Sequence, residues 1–177
     1  MISLKYIKQY GIFLAAFIAA DQLIKIIINT FFFKFNFDII SGIFTFSPVI
    51  NPKLSWGSYF IDFLNNPFFI YTLNILIIII YISGYSFYRS RVEKPGIWAT
   101  LIFLFGLSGS ICGLIDRLFW GGSLDYIKIP HFFVFDLKDC YLTVSEIILI
   151  CVVVRHNKEI KIRDYLKYCF KRKNAKI

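Results

Sequence analysis

Four apolar stretches dominate the chain: about Gly11–Phe33, Phe68–Phe87, Gly96–Trp120 and Cys140–Val154. Nearly all the charge is collected between and beyond them. A helix needs roughly 20 consecutive apolar residues to cross the hydrocarbon of a bilayer. The last stretch is the shortest, so its helix is predicted to begin a few residues upstream, near residue 137. The pattern predicts an all-α membrane protein forming one domain over residues 1–177, with transmembrane helices at about 11–33, 68–87, 96–120 and 137–154.

The two longer connections have their own pattern. Residues 34–67 alternate around Ile43–Phe46 as a short strand does, with Pro48, Pro52 and Pro67 read as turn markers. Aromatic side chains crowd this segment, as expected at the depth of lipid headgroups. In residues 121–138, Gly121 and Gly122 are predicted to end a helix and Pro130 to open an extended stretch. Together they predict a small aromatic cap, partly β, on one side of the membrane.

Charge decides which side. Lys5 and Lys8 precede the first span, Arg89, Arg91 and Lys94 join the second to the third, and nine Lys/Arg follow from Arg155 to Lys176. Only Lys34, Lys53, Lys128 and Lys138 fall on the other side. By the positive-inside rule both termini are cytoplasmic and the cap is extracytoplasmic. The net charge of +9 therefore reads as a topology signal rather than a nucleic-acid footprint. The basic cytoplasmic tail, 155–177, is either simply solvated or touches anionic lipid. The N-terminus resembles a secretory signal, but Ile18 spoils the small-residue pattern before Asp21 and the apolar run continues to Phe33. It is read as a retained first helix.

The composition, 58% hydrophobic with 21 Phe, exceeds that of ordinary soluble domains. Cys112, Cys140, Cys151 and Cys169 show no paired spacing, and His131 and His156 fall on opposite sides of the membrane, so no zinc site is expected.

Charges at membrane depth are costly and face a bundle interior. Asp21 and Lys25 stand one helical turn apart, acid before base. They read as a structural ion pair, with a polar substrate path as the alternative. Gly109 and Gly113 allow a close approach by another helix or a peptide. Asp116 and Arg117 are adjacent and cannot face each other on a helix, so each is expected to contact something else.

Asp125 follows the third span and Asp139 opens the fourth. If those helices are neighbours, the 13 residues between can return both carboxylates to one place. Two close carboxylates share a proton. The ionised one can then draw a proton from water while the protonated one polarises a carbonyl. Spacing alone leaves solvated loop aspartates as the competing reading.

At these residues the chain resembles lipoprotein signal peptidase (signal peptidase II), a four-helix bacterial membrane aspartic protease. "DQLIK" at Asp21–Lys25 matches the family's first motif. In "NPKLSWG", Asn51, Trp56 and Gly57 fit, while Lys53 stands where glycine is usual. In "SGSICGLIDR", Gly109, Asp116 and Arg117 fit and Gly113 replaces an Asn. "LDY" and "FDLKD" match the segments holding the two catalytic aspartates, here Asp125 and Asp139, with Asp136 and Lys138 in place of Asn and Ala. Glu146 adds a carboxylate two turns after Asp139, on roughly the same face. Asp136 and Glu146 are expected to raise the pKa values of a dyad, and Lys138 to lower them.

The resemblance implies removal of signal peptides from diacylglyceryl-modified prolipoproteins, cut just before the lipidated Cys at the outer face of the bacterial inner membrane. It implies an Asp dyad and one water, with no metal or organic cofactor. Asn51, Trp56, Gly57, Gly109, Asp116 and Arg117 would support or bind substrate. Membrane lipid is the other implied contact, and a monomer the expected state. Rival readings are a silent scaffold of the same fold, a proton relay through Asp21, Lys25, Asp116 and Glu146, and a Cys140–His131 protease.

Overall fold

The computed structural model describes residues 5–52, 66–155 and 162–174. Helix α1 runs Lys5–Ile27 and continues through a π-helical turn, Ile28–Phe32. Strands β1 (Phe37–Ile40) and β2 (Phe44–Asn51) follow. Helix α2 is Pro67–Arg89; α3, Ile97–Ile115, also ends in a π-helical turn, Asp116–Trp120. Then come β3 (Ser123–Lys128), β4 (Val134–Phe135), α4 (Leu137–Arg155) and α5 (Ile162–Asn174).

Three of these helices are long and apolar enough to cross a membrane: Lys8–Phe32, Phe68–Arg89 and Ile97–Trp120. Helix α4 has 19 residues but carries Lys138, Asp139 and Glu146, so composition alone does not class it with them. The chain is a membrane protein, mostly helical with a small antiparallel sheet. The helices keep their outer faces apolar; Ile12, Ile26, Leu76, Ile80, Ile147 and Ile150 are all exposed. Exposed apolar faces of this kind on helices long enough to span fit contact with hydrocarbon.

Helix α3 is the central one, packing on α1, α2 and α4. Leu14 of α1, Ile82 and Tyr85 of α2, and Phe103, Leu104 and Leu107 of α3 form the main core. The rings of Tyr85 and Phe103 stack at 4.4 Å. Small residues set the closest approaches. A Cβ on Gly109 would lie 2.8 Å from Leu142 Cγ and 3.1 Å from the Lys138 carbonyl. The partner that Gly109 admits is therefore α4.

The sheet has the order β1-β2-β3-β4, antiparallel throughout. It joins the segment before α2 to the segment after α3, so residues far apart in the chain form one cap. A second apolar cluster, Ile28, Leu124 and Tyr126, ties β3 to the end of α1. Pro48 departs from its expected role as a turn marker. It lies inside β2, where the β2–β3 register shifts between Phe46 and Val49. Proline has no N–H for the ladder and is tolerated at such a bulge. Pro67 does mark a boundary, at the start of α2 behind the Asn66 side chain, which accepts the Phe68 N–H at 2.9 Å.

Pro130 likewise sits in a turn rather than opening an extended stretch. The Phe132 N–H reaches the Ile129 carbonyl at 3.0 Å, and His131 has φ 62°. Proline followed by a left-handed residue is the pattern of a type II turn, and this one closes the β3–β4 hairpin. Gly121, at φ 70°, ends the helical run as expected.

The basic tail contains more structure than a solvated extension. The rings of Tyr165 and Tyr168 in α5 pack on Phe87 of α2, and the Tyr165 hydroxyl lies 2.7 Å from Ser83 Oγ.

Candidate active site

Asp125 and Asp139 meet at the junction between cap and helices. The β pairing places Asn51 opposite Ser123 and Val49 opposite Asp125. Alternation along a strand puts Ser123 and Asp125 on one face, with Asn51 beside them. Asn51 Nδ2 accordingly donates to Asp125 Oδ2 at 3.3 Å, and the Ser123 hydroxyl donates to Asp125 Oδ1. A Cβ on Gly122 would come within 2.7 Å of the Asn51 carbonyl, so glycine there lets the two chains close on each other.

Asp139 arrives from the first turn of α4. Its Oδ2 accepts the backbone N–H of Asp136 at 3.3 Å, while Asp136 Oδ1 accepts the N–H of Asp139 at 3.1 Å. Asp136 is the residue before the helix and Asp139 its third, the reciprocal arrangement of a capping box. Carboxylate oxygens of Asp125, Asp136 and Asp139 lie within 4.8 Å of one another. The Asp125 side chain is 5% exposed and that of Asp139 39%, so one carboxylate is enclosed and the other open.

A second acidic group stands behind the first. Lys25 Nζ lies 2.8 Å from Asp21 Oδ2, 2.6 Å from Asp116 Oδ2 and 2.7 Å from Asp136 Oδ2, all four side chains being fully buried. The expected Asp21–Lys25 pair exists but is only part of a larger network. Asp21 also accepts the backbone N–H of Lys138 at 3.1 Å, bringing a negative charge to the start of α4.

Both trios of carboxylates have the spacing a cation could use. Lys25 fills the inner trio, and Lys138 Nζ reaches all members of the outer one at 2.8–3.8 Å.

Burial raises Asp125 to about 6; Lys138 and the Ser123 hydrogen bond oppose that rise, and the nearby Asp136 and Asp139 add to it. Burial also pushes Asp136 up, but Lys138 and Lys25 outweigh it and hold the group below the usual carboxylate range.

Arg117 Nη1 donates to the Gly113 carbonyl at 2.8 Å, and its Nε meets no acceptor among the described residues. Trp56, Gly57 and Lys53 lie outside the described residues. Glu146 does not join Asp125 and Asp139: it is exposed, and the buried face of α4 is Lys138, Tyr141 and Ser145. The relay imagined through Glu146 loses its last member for the same reason. His131 is exposed at the hairpin turn and Cys140 is exposed on α4.

Residues 13–155 match the family model described as Signal peptidase (SPase) II. The chain belongs to the signal peptidase II family. A lipoprotein signal peptidase of Streptococcus thermophilus (strain CNRZ 1066) is 28% identical over 116 residues, 64% of this chain and 71% of that one. One from Rickettsia africae (strain ESF-5) is 32% identical over 110 residues, 59% of this chain and 54% of the relative. In fold, the chain is similar to a solved bacterial membrane enzyme with a TM-score of 0.70 at 19% identity, covering 89% of this chain and 94% of the other. A second such structure gives 0.68 at 18% identity, over 85% and 96%.

Membership makes this signal peptidase II relative an aspartic-type membrane peptidase. The matched residues span α1 to α4, so α5 lies beyond them.

Two site residues, Gln22 and Ser123, have no role assigned from the sequence. Gln22 Nε2 donates to both Asp21 and Asp116 at 3.0 Å, and its Oε1 accepts from Trp120 Nε1 at 3.2 Å. Ser123, two places before Asp125, carries no signal along the chain. Lys138 and Asp136 stood out only as charges beside Asp139.

Proposed function

We propose that the protein cleaves signal peptides from diacylglyceryl-modified prolipoproteins, just before the lipidated Cys, with Asp125 and Asp139 as the catalytic pair. The observation carrying this is the convergence of two carboxylates, from β3 and α4, where a bundle of apolar helices meets an aromatic sheet. The scissile bond of a lipid-anchored peptide reaches just such a boundary.

The pair titrates as a unit and is active with one shared proton. Asp125, enclosed and raised to about 6, is the member that holds it. Asp139, open to the cleft, takes a proton from water as the water oxygen attacks the peptide carbonyl. Asp125 gives its proton to the carbonyl oxygen. Collapse of the tetrahedral diol then breaks the C–N bond, with a proton delivered to the leaving amine.

Asn51 orients Asp125, and Arg117 supplies the unpaired Nε for a substrate carbonyl. An apolar cleft of about 540 Å³ between α1 and the sheet, with Ile24, Ile28, Phe32 and Phe46 in its wall, offers acyl chains a surface beside Leu124.

In this reading α4 is the fourth span, its buried Lys138 and half-buried Asp139 facing the bundle rather than lipid. Both termini are cytoplasmic, and the dyad stands at the outer face of the inner membrane. The enzyme works as a monomer.

The test is processing of a lipid-modified prolipoprotein by Asp125→Asn and Asp139→Asn. Each is expected to lose activity by at least a thousandfold while remaining folded and inserted. Full activity in either sinks the dyad. The silent-scaffold reading draws support from Lys138, whose ammonium between two carboxylates opposes the sharing of a proton; wild-type turnover decides between them.

A further inference from the structure

The cation in the dyad is built in, not incidental. Lys138 Nζ is 3.3 Å from Asp139 Oδ1 and 3.8 Å from Asp125 Oδ1. It donates to Ser123 Oγ at 2.6 Å and to Asp136 Oδ2 at 2.8 Å. The residue is 5% exposed. A lysine is rarely buried so deeply unless it is paired, and here the paired carboxylates include both members of the proposed dyad.

Gly113 lies beside the stem. A Cβ there would already stand 4.0 Å from Lys138 Cδ and 3.2 Å from Asn74 Oδ1. An Asn at 113 would extend into that crowded space. The unexpected residues Gly113, Asp136 and Lys138 thus stand together: a glycine beside the stem, a charge, and its counter-ion.

We propose that Lys138, with Asp136 as counter-ion, is a positioning residue of the dyad, holding Asp125 and Asp139 face to face and setting the pH range over which they share a proton. This rests on the dyad reading above. Through Ser123, which donates to Asp125, the same ammonium also orients the enclosed carboxylate.

The direction follows from the surrounding charges. A nearby cation favours ionised carboxylates, so Lys138 lowers the pH at which the pair takes up its proton. Asp136 opposes it. Asp116, 3.6 Å from Lys138 Nζ, and Arg117 face the group from the end of α3. Lys25 reaches it through Asp136, and Asp21 holds its backbone N–H, both from α1. Removing the Lys138 charge therefore moves both limbs of the pH–activity profile upward.

The experiment measures kcat/KM against pH for the full chain in lipid, with a lipid-modified prolipoprotein as substrate. Lys138→Met is expected to raise both limbs by about one pH unit or more. The double variant Asp136→Asn with Lys138→Met removes a charge of each sign and should move them the same way by less. Lys138→Arg keeps the cation and should keep the limbs.

If Lys138→Met does not fold, the double variant carries the test. Limbs that stay in place in every folded variant, while Asp125→Asn and Asp139→Asn are inactive, overturn the role of Lys138 and leave the dyad standing. Activity surviving in Asp125→Asn overturns the dyad, and this inference with it.

Discussion

Asp136 and Asp139 cap each other at the start of α4, each carboxylate accepting the other's backbone N–H at 3.1–3.3 Å. This fixes one oxygen of Asp139 and leaves Oδ1 turned toward Lys138, 3.3 Å away. The helix terminus thereby orients a carboxylate proposed to take a proton from water. Asp136 does more, since its other oxygen bridges Lys25 and Lys138.

Asp136→Asn should keep the cap and lose the charge. It leaves two buried ammonium groups short of a counter-ion, a loss of about 3–5 kcal/mol. Asp136 is held below the usual carboxylate range, so its stabilisation is complete above the unfolded-state pKa of about 4 and fades as pH falls through the lower folded value. Unfolding midpoints in detergent should show the deficit at pH 7 and its shrinkage in acid.

Asp125 has the opposite sign. Raised to about 6 from 3.8, it binds its proton more tightly folded than unfolded, so folding stability falls as pH rises between those values. Asp125→Asn, inactive, should gain on the wild type over that window by up to about 3 kcal/mol, with no change in the difference at higher pH. A variant that is less stable at pH 7 than at pH 4, relative to wild type, contradicts the burial argument.

Asp21 is fully buried in the network, held by Lys25 and Gln22 and capping Lys138. Asp21→Asn should cut folded yield severely, while turnover per folded molecule falls much less. Quantifying monodisperse protein and activity on the same preparation separates the two. The reverse pattern would move Asp21 into the reacting group.

Gly109→Ala should act at a distance. Its new methyl meets Leu142 Cγ at 2.8 Å and the Lys138 carbonyl at 3.1 Å, which pries α4 from α3 at a cost of about 1–3 kcal/mol. Because α4 carries Asp139, kcat should drop at least tenfold. Gly84→Ala is the control: a Cβ there meets nothing within 4 Å, and alanine favours the helix by about 1 kcal/mol. Its activity should be unchanged.

Some parts were legible because the signal is local. Apolar runs announce membrane-capable helices at once, since a continuous stretch of side chains must be matched to hydrocarbon. Asp125 and Asp139 could be picked out because each borders such a run. Pro48 was misread because a proline in a bulge and a proline in a turn look alike along the chain; only the β2–β3 pairing separates them. The helix in the tail was missed because basic residues pointed to solvent, while Tyr165 and Tyr168 had an unseen partner in Phe87.

The family, the apolar spans and the acidic residues near their ends could all be read along the chain, because hydropathy and motif spacing are properties of neighbours. Which carboxylate holds which ammonium could not. Gln22 meets Asp116 across 94 positions and Asp21 meets Lys138 across 117. Two lysines among five aspartates admit many pairings. Packing of α1, α3 and α4 around buried charges selected one, because each ion removed from water had to find its counter-charge within hydrogen-bonding distance.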